Sequence, residues 1–508
     1  MMKAVRGCWI WLLCAGLLIT GGCSSPELGD RKHAAASGSG DSPMNIRFMY
    51  PLYGKEPRKT EVWEWIEEKF NITYEPMAIP INSYLNRLKA AVASPNPPDA
   101  LVWTSFPQAD LFHLIQSGMF HQLDDLLPQY ANLGEIPREI WNNVKVDGKI
   151  YGVPRPRALV DQAVIIRKDW LDALGLPLPE TLEDYRRAAI MFTHNDPDGN
   201  GKADTYGFAA GEGLDFLHEL KYAFGAGNGW TEQPDGSLLA SIISSEHEAY
   251  LRWLRELYAN GGIDPSFAVL QPTEVWERFK EGKTGIIITE ISNYAHFIEE
   301  LSVSDPDSEL MLLGPPVGPD GHAGFQQKIG FYGAIFIPKV VPMEKAERIL
   351  SFIDWQAGEE GTHMKLYGLE GIHHRIGDNG DVIFDRARFR EEGINWLFAM
   401  NKYSPYLYVS YDAPPDVQAE QRRMLDLVKD KGVANPVERY LSDAQLDIGS
   451  IYKKTIRNFQ SEFVRGEQPD DVLDAWRSEW LMRGGQQATD ELNALYKADR
   501  SKEEGAHE

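Results

Sequence analysis

The chain has 508 residues, and its 51 lysines and arginines against 75 aspartates and glutamates give a formal net charge of −24. A chain this negative repels phosphate backbones, so nucleic acid is not expected among its partners. Its length is sufficient to build the cores of more than one domain.

The N-terminal residues have the pattern of an export signal. Lys3 and Arg6 precede an apolar run over 9–19, which is too short for a permanent membrane span. The stretch TGGC over 20–23 then resembles the lipobox of bacterial lipoproteins, which usually have leucine where this chain has threonine. This resemblance implies a signal peptide over 1–22, diacylation of Cys23 and a lipid-anchored protein on the extracellular face of the cell membrane. An ordinary secretory peptide is the alternative.

Cysteine content agrees with this interpretation. The three cysteines of the chain are Cys8, Cys14 and Cys23, so a chain processed at Cys23 has no partner for an internal disulfide. Residues 23–44 are rich in glycine, serine, alanine and charge, a composition that cannot bury a core. They are predicted to form a flexible tether.

Strands and amphipathic helices alternate through the body of the chain. The predicted strands lie at 46–49, 100–103, 163–166, 285–289 and 333–337. Capping boxes predict that helices begin at Thr181, with Asp184, and at Ser245, with Glu248. This alternation predicts an α/β protein in which helices cover the sheets.

The segment DPDGNGKAD over 196–204 has the spacing of a calcium-binding loop. Glycine stands at loop position 6, and position 12 is Gly207, where an EF-hand has a bidentate glutamate. The expected ligands are the side chains of Asp196, Asp198, Asn200 and Asp204 with the backbone carbonyl of Lys202. The loop therefore predicts a structural calcium ion, and a solvated turn is the alternative.

Five segments in order give the chain a family resemblance. They are DGKIYGVPR from Asp147, IRKDWLDALGLPLPETLEDY from Ile166, DPDGNGKADTYGF from Asp196, ELYANGGIDP from Glu256 and YGLEGIHHR from Tyr367. Together they resemble the large extracellular solute-binding lipoproteins of Gram-positive bacteria, relatives of maltose-binding and alginate-oligosaccharide-binding proteins. The resemblance implies a monomer that captures a carbohydrate, specifically an oligosaccharide, and delivers it to an ABC permease without catalysis.

The resemblance also implies an architecture. It is the two-lobe, type II, periplasmic-binding-protein-like fold, with hinge strands that cross twice, near 157–161 and near 329–334, and lobes that close on the ligand. The implied boundaries are 45–158 with 332–395 for lobe 1, 159–331 with 396–498 for lobe 2, and 499–508 for a tail.

Aromatic and polar residues near the implied cleft are the candidate sugar ligands. Aromatic rings stack on the CH faces of sugars, while hydroxyls need side-chain donors and acceptors. The candidates are Tyr53, Trp103, Arg155, Trp230, Glu290, Asn293, Tyr332, Glu370 and His373.

Two other classes of function stay open. Gly282-Lys283-Thr284 lacks the earlier glycine of a phosphate loop, and the sequence has neither an HExxH zinc motif nor a GxSxG elbow. A glycoside hydrolase or polysaccharide lyase is still an alternative, because acidic pairs carry no information without coordinates. A sensory or adhesive sugar-binding lipoprotein would have the same fold.

Overall fold

The computed structural model describes residues 42–377, 382–410 and 413–505, so Cys23 and the signal region lie outside the described residues. The strands are β1 (Met44–Leu52), β2 (Ile72–Pro80), β3 (Ala100–Trp103), β4 (Gly152–Pro156), β5 (Gln162–Arg167), β6 (Tyr206–Phe208), β7 (Trp230–Glu232), β8 (Leu238–Ala240), β9 (Thr284–Glu290), β10 (Leu310–Leu313), β11 (Phe325–Gln326), β12 (Phe331–Phe336), β13 (His374–Ile376), β14 (Val382–Phe384) and β15 (Gly432–Val433). The α-helices are α1 (Glu61–Phe70), α2 (Ile81–Val92), α3 (Ala109–Gln116), α4 (Arg138–Val144), α5 (Lys168–Ala173), α6 (Leu182–His194), α7 (Ser245–Ala259), α8 (Pro272–Lys280), α9 (Asn293–Ser304), α10 (Met343–Ala357), α11 (Glu359–Tyr367), α12 (Arg386–Glu392), α13 (Pro415–Val428), α14 (Asp443–Val464), α15 (Val472–Trp480) and α16 (Gln486–Gly505).

A five-stranded sheet forms the centre of the first lobe. Its order is β2-β1-β3-β12-β4, with β1 parallel to β2 and β3. Strand β12 runs antiparallel to both β3 and β4. Consequently the carboxyl ends of β1, β3 and β4 and the first residues of β12 share one edge. Polar residues that follow these strands are thereby brought together.

A four-stranded sheet forms the centre of the second lobe. Its order is β10-β5-β9-β6, and Gln162 at the start of β5 pairs with Glu290 at the end of β9. Two separate apolar clusters surround the two sheets, one over 46–153 and 331–400 and the other over 160–325 and 409–473. The predicted α/β two-lobe fold is confirmed.

Three segments pass between the two clusters. The first two are joined by backbone hydrogen bonds, from Arg157 N to Gly330 O (2.7 Å) and from Lys328 N to Leu159 O (2.7 Å). The third lies later in the chain than the lobe boundary expected after residue 395. Residues 394–400 pack in the first cluster, so the chain returns to the second cluster after Met400 rather than at residue 396.

Local signals predicted some helix ends correctly and others incorrectly. Thr181 caps α6 in a full capping box with Asp184. The cap of α7, however, is Ser244 and not the predicted Ser245, because the Ser244 hydroxyl accepts from His247 N at 3.1 Å. The predicted tail from 499 is helical to Gly505 as part of α16.

Candidate ligand-binding site

The shared edge of the first sheet carries a cluster of aromatic side chains. Tyr53 directly follows β1 and is 48% exposed, and Tyr332, near the start of β12, is 37% exposed. Their hydroxyls are 2.5 Å apart and their ring centroids 6.2 Å apart. The ring of Trp396 also lies close to that of Tyr53, with ring centroids 6.1 Å apart. We call Tyr53, Tyr332 and Trp396 the aromatic edge.

Gly54 makes room for the tryptophan of this cluster. A Cβ atom at Gly54 would lie 2.5 Å from the indole nitrogen of Trp396, closer than side chains approach one another. The indole therefore approaches the backbone at residue 54 more closely than a side chain there would allow. Trp396 was not predicted, because nothing in the local sequence around it indicates a contact with residues 53 and 54.

Positive side chains lie beside the aromatic edge. Arg155 is buried and donates from Nη1 to the backbone oxygen of Tyr332 at 3.4 Å. The Arg157 guanidinium lies 5.9 Å from the centroid of the Tyr332 ring. Lys365 on α11 donates to Met400 O at 3.3 Å and to the side-chain oxygen of Asn401. The sequence predicted Arg155 but missed Arg157 and Lys365.

The second sheet contributes a network of alternating charges. Lys328 Nζ lies 2.8 Å from Asp161 Oδ2 and 2.9 Å from Glu290 Oε1, which places the predicted Glu290 in this network. Burial raises the pKa of Asp161, and the Lys328 ammonium opposes that rise. Tyr408, from the third crossing segment, has its ring centroid 5.9 Å from Lys328 Nζ, and burial raises its pKa to about 12.

Three predicted ligands are placed differently from the expectation. Trp103 is 1% exposed and its indole donates to Gln108 Oε1 at 2.8 Å, because β3 is a central strand whose last residue is covered. Trp230 is 5% exposed and packs in a third apolar cluster with α15. His373 is 1% exposed and lies 2.9 Å from Glu392 Oε2. These three side chains are buried against other protein groups in this structure, and their role as sugar ligands stays a prediction.

The last two candidates, Asn293 and Glu370, form hydrogen bonds with residues outside the aromatic edge. Asn293, at the start of α9, donates to Thr289 Oγ1 at 2.9 Å and so holds the end of β9. Glu370 is exposed and forms a backbone bridge to His374. The structure therefore brings together Tyr53, Arg155 and Tyr332, and it places Glu290 in the Lys328 network of the second lobe.

The loop over 196–204 joins α6 to β6 and is tightly folded. Asn200 Nδ2 lies 2.7 Å from Asp198 Oδ2 and 3.1 Å from Asp204 Oδ1, and Gly201 N donates to Asp196 Oδ2 at 2.9 Å. Burial and the neighbouring Asp196 raise the pKa of Asp198.

The loop does not form a complete carboxylate cage in this geometry. Asp204 Oδ2 is paired with Lys283 Nζ at 2.7 Å. Within 42–377, 382–410 and 413–505, no three Asp, Glu, His or Cys side chains are arranged to hold a metal ion. Three oxygen-bearing side chains and the Lys202 carbonyl are present at the positions a calcium ion would use.

A cavity of about 530 Å³ lies between the first lobe and the C-terminal helices. Phe112 and Asn142 line one wall, and Arg439, Tyr440 and Asp499 line the other. It has no lining residue in common with the aromatic edge.

In the part of the chain that the structure describes, no helix is both long enough and apolar enough to span a bilayer.

Comparisons with known proteins agree with the geometry. A family model described as bacterial extracellular solute-binding protein matches residues 64–369. The polygalacturonan/rhamnogalacturonan-binding protein YtcQ of Bacillus subtilis is 28% identical over 96% of this chain and 99% of its own. Lipoprotein LipO of the same organism is also 28% identical, over 98% of this chain and 99% of its own. A Streptococcus pneumoniae ABC-transporter substrate-binding protein, FusA, described as an EF-hand mutant with fructo-nystose, superimposes with a TM-score of 0.65 at 19% identity, covering 90% of this chain and all of its own (100%).

Proposed function

This chain belongs to the family of bacterial extracellular solute-binding proteins, and we propose that it captures an oligosaccharide between its two lobes for uptake by an ABC importer. The observation that carries the proposal is the aromatic edge. Tyr53, Tyr332 and Trp396 present ring surface and hydroxyls in one place, beside Arg155 and Arg157. Ring faces and hydrogen-bonding groups are the two features that sugar recognition requires.

The relatives support a carbohydrate ligand and leave its charge open. YtcQ is described as binding polygalacturonan and rhamnogalacturonan, which carry carboxylates, whereas FusA is described in complex with fructo-nystose, which does not. Both are described as binding proteins. A catalytic role for this chain therefore has no support from the relatives, and we propose binding without a chemical step.

The proposal is tested by a thermal-shift screen with oligosaccharides, followed by calorimetry. Tyr53→Ala should lower the affinity for the best ligand about tenfold or more, because a stacked or hydrogen-bonded aromatic group contributes roughly 1–3 kcal/mol. Tyr206→Ala is the matched control, since Tyr206 begins β6 beside Thr284, at the opposite end of β9 from Glu290. Equal affinities of the two variants would refute this site.

We propose further that the loop over 196–204 binds calcium and stabilises the second lobe. Asp196, Asp198 and Asn200 supply three side-chain oxygens, and Asp204 would exchange its pairing with Lys283 for the cation. The description of FusA as an EF-hand mutant supports a metal loop in this fold.

Calcium at about 100 times its Kd would stabilise the folded state by about 2.7 kcal/mol. EDTA should therefore lower the Tm of the wild type, and Asp198→Ala should abolish most of that response. Asp235→Ala is the control, because Asp235 also holds a tight turn, through Ser237 N at 2.9 Å. A response to EDTA that Asp198→Ala leaves intact would eliminate the loop as the calcium site.

Lipid anchoring at Cys23 completes the proposed role, with support from the lipoprotein description of LipO. Cys23→Ala should abolish fatty-acid labelling of the expressed chain. Import and sensing make different predictions, since only import requires the liganded protein to stimulate the ATPase of a purified permease. A ligand-binding chain without that stimulation would favour the sensory alternative.

A further inference from the structure

Two cations of this chain are each held between two carboxylates. Arg167 lies 2.5 Å from Asp169 and 2.6 Å from Asp305. Lys328 likewise lies between Asp161 and Glu290. Such pairing is expected, because a charge removed from water without a counter-charge is costly.

Arg155, Arg157 and Lys365, which we call the cation trio, do not follow this pattern. Their hydrogen-bond acceptors are all neutral: Ala399 O and Tyr332 O for Arg155, Pro156 O for Arg157, and Met400 O and Asn401 Oδ1 for Lys365. Within the described residues, no carboxylate lies within ion-pair distance of any of the three. This is unusual in a chain whose net charge is −24.

The members of the trio also repel one another. Burial and the Arg157 charge lower the pKa of Arg155 to about 10. Burial and the charges of Arg155 and Arg157 lower the pKa of Lys365 to about 7. Like charges held close without a counter-ion raise the free energy of the empty site, and an anionic group bound there would lower it.

The position of the trio indicates what kind of anion fits. Arg157 lies over the Tyr332 ring and Arg155 donates to the Tyr332 backbone, so the positive charge adjoins the surface proposed for sugar stacking. A sugar ring packed on Tyr332 would direct a substituent toward the guanidinium of Arg157. Arginine pairs with carboxylates through two parallel hydrogen bonds, which gives geometric selectivity.

We propose that the cation trio binds the carboxylate of a uronic acid, so that the captured oligosaccharide is acidic. This inference rests on the proposed function and names its ligand class. Arg157 and Lys365, which are only partly buried, contact the carboxylate, and Arg155 orients the Tyr332 backbone behind them.

Calorimetry with matched probes tests the inference. The probes are trisaccharides of galacturonate, glucuronate and mannuronate, each compared with its methyl ester, which keeps the hydroxyls and removes the charge. One uronate should bind about 30-fold tighter than its ester, as expected when a desolvated charge pair is lost. Arg157→Gln and Lys365→Gln should each remove most of that preference. Arg423→Gln, which removes a cation paired with Glu420, should leave it unchanged.

The outcomes separate the inference from the proposed function. If esters or other neutral oligosaccharides bind as tightly as the uronates, the acidic ligand class is wrong while sugar capture stands. If no acidic or neutral oligosaccharide binds, both proposals are wrong. Unchanged ligand-free melting curves for the two variants would exclude misfolding as the cause of lost affinity.

The pH dependence of binding gives an independent test. The charged groups facing Lys365 are Arg155 and Arg157, and a bound carboxylate would favour its ammonium form and raise its pKa. Uronate affinity should therefore fall as the pH rises through and above neutrality, and binding should take up protons over that same range. In Lys365→Gln this dependence should disappear, and a wild-type affinity that is constant across neutrality would contradict the role of Lys365.

Discussion

Replacing Lys328 by methionine tests the charge network between the lobes. Among the residues that the structure describes, the substitution leaves the fully buried Asp161 carboxylate with only the Gln162 amide, at 3.2 Å, as a side-chain partner. Removing one partner of a buried ion pair costs about 3–5 kcal/mol. The Lys328 side chain is 30% exposed, so solvent compensates part of that loss, and we expect about 2–3 kcal/mol.

Urea denaturation at several pH values measures this loss. In the variant, Asp161 binds a proton at higher pH than in the wild type, because its pKa is already raised by burial and the opposing ammonium is gone. The stability difference should therefore be largest at neutral pH and should shrink as the pH falls and Asp161 becomes neutral in both proteins.

Two variants serve as references for this experiment. Lys429→Met removes an exposed cation paired with Asp426 at 3.3 Å, and we expect at most about 0.5 kcal/mol. The double variant Lys328→Met with Asp161→Asn should recover part of the lost stability, since no charge is then left buried. A loss for Lys328→Met no larger than that for Lys429→Met would refute the reasoning.

Two further predictions concern packing and acid stability. Trp103→Ala and Trp230→Ala should each lower the free energy of unfolding without ligand by about 3–5 kcal/mol, because both indoles are buried. A small loss of stability with a large loss of sugar affinity would instead assign them to the ligand site. Burial lowers the pKa of His247 to about 3, so the folded state excludes a proton that the unfolded chain binds below about pH 6.5. Stability should thus fall by about 1.4 kcal/mol per pH unit from there toward pH 3, and His247→Asn should remove that slope in urea midpoints measured against pH.

Local signals allowed correct prediction where the determining contacts are close in the sequence. The capping box at Thr181 is an example, since both partners lie within one helical turn. The apolar pattern also located β1, β3, β5, β9 and β12, but not β2, the edge strand of the first sheet. The exact cap of α7 was missed by one residue, because Ser244 and Ser245 are adjacent and only the backbone angles decide which of them caps.

The candidate ligand site could be predicted only in part, because it depends on contacts between distant segments. Tyr53 and Tyr332 follow or begin strands, which made them recognisable, whereas Trp396 reaches the site through its contact with Gly54. Trp103 also ends a strand, but that strand is central in its sheet, so the side chain is covered. Position at a strand end therefore indicates a sheet edge without indicating exposure.

Capture between the lobes is tested most directly by a distance measured across them. The sequence has no cysteine after Cys23, so a chain beginning at residue 42 can be spin-labelled at two introduced cysteines alone. Glu68→Cys on α1 and Val303→Cys on α9 are exposed positions of the first and second lobes. Electron–electron resonance should show the whole distance distribution shift to a new, narrower maximum on saturation with the oligosaccharide, and Tyr53→Ala should require more ligand for the same shift. A distribution that is identical with and without saturating ligand would contradict capture by lobe closure.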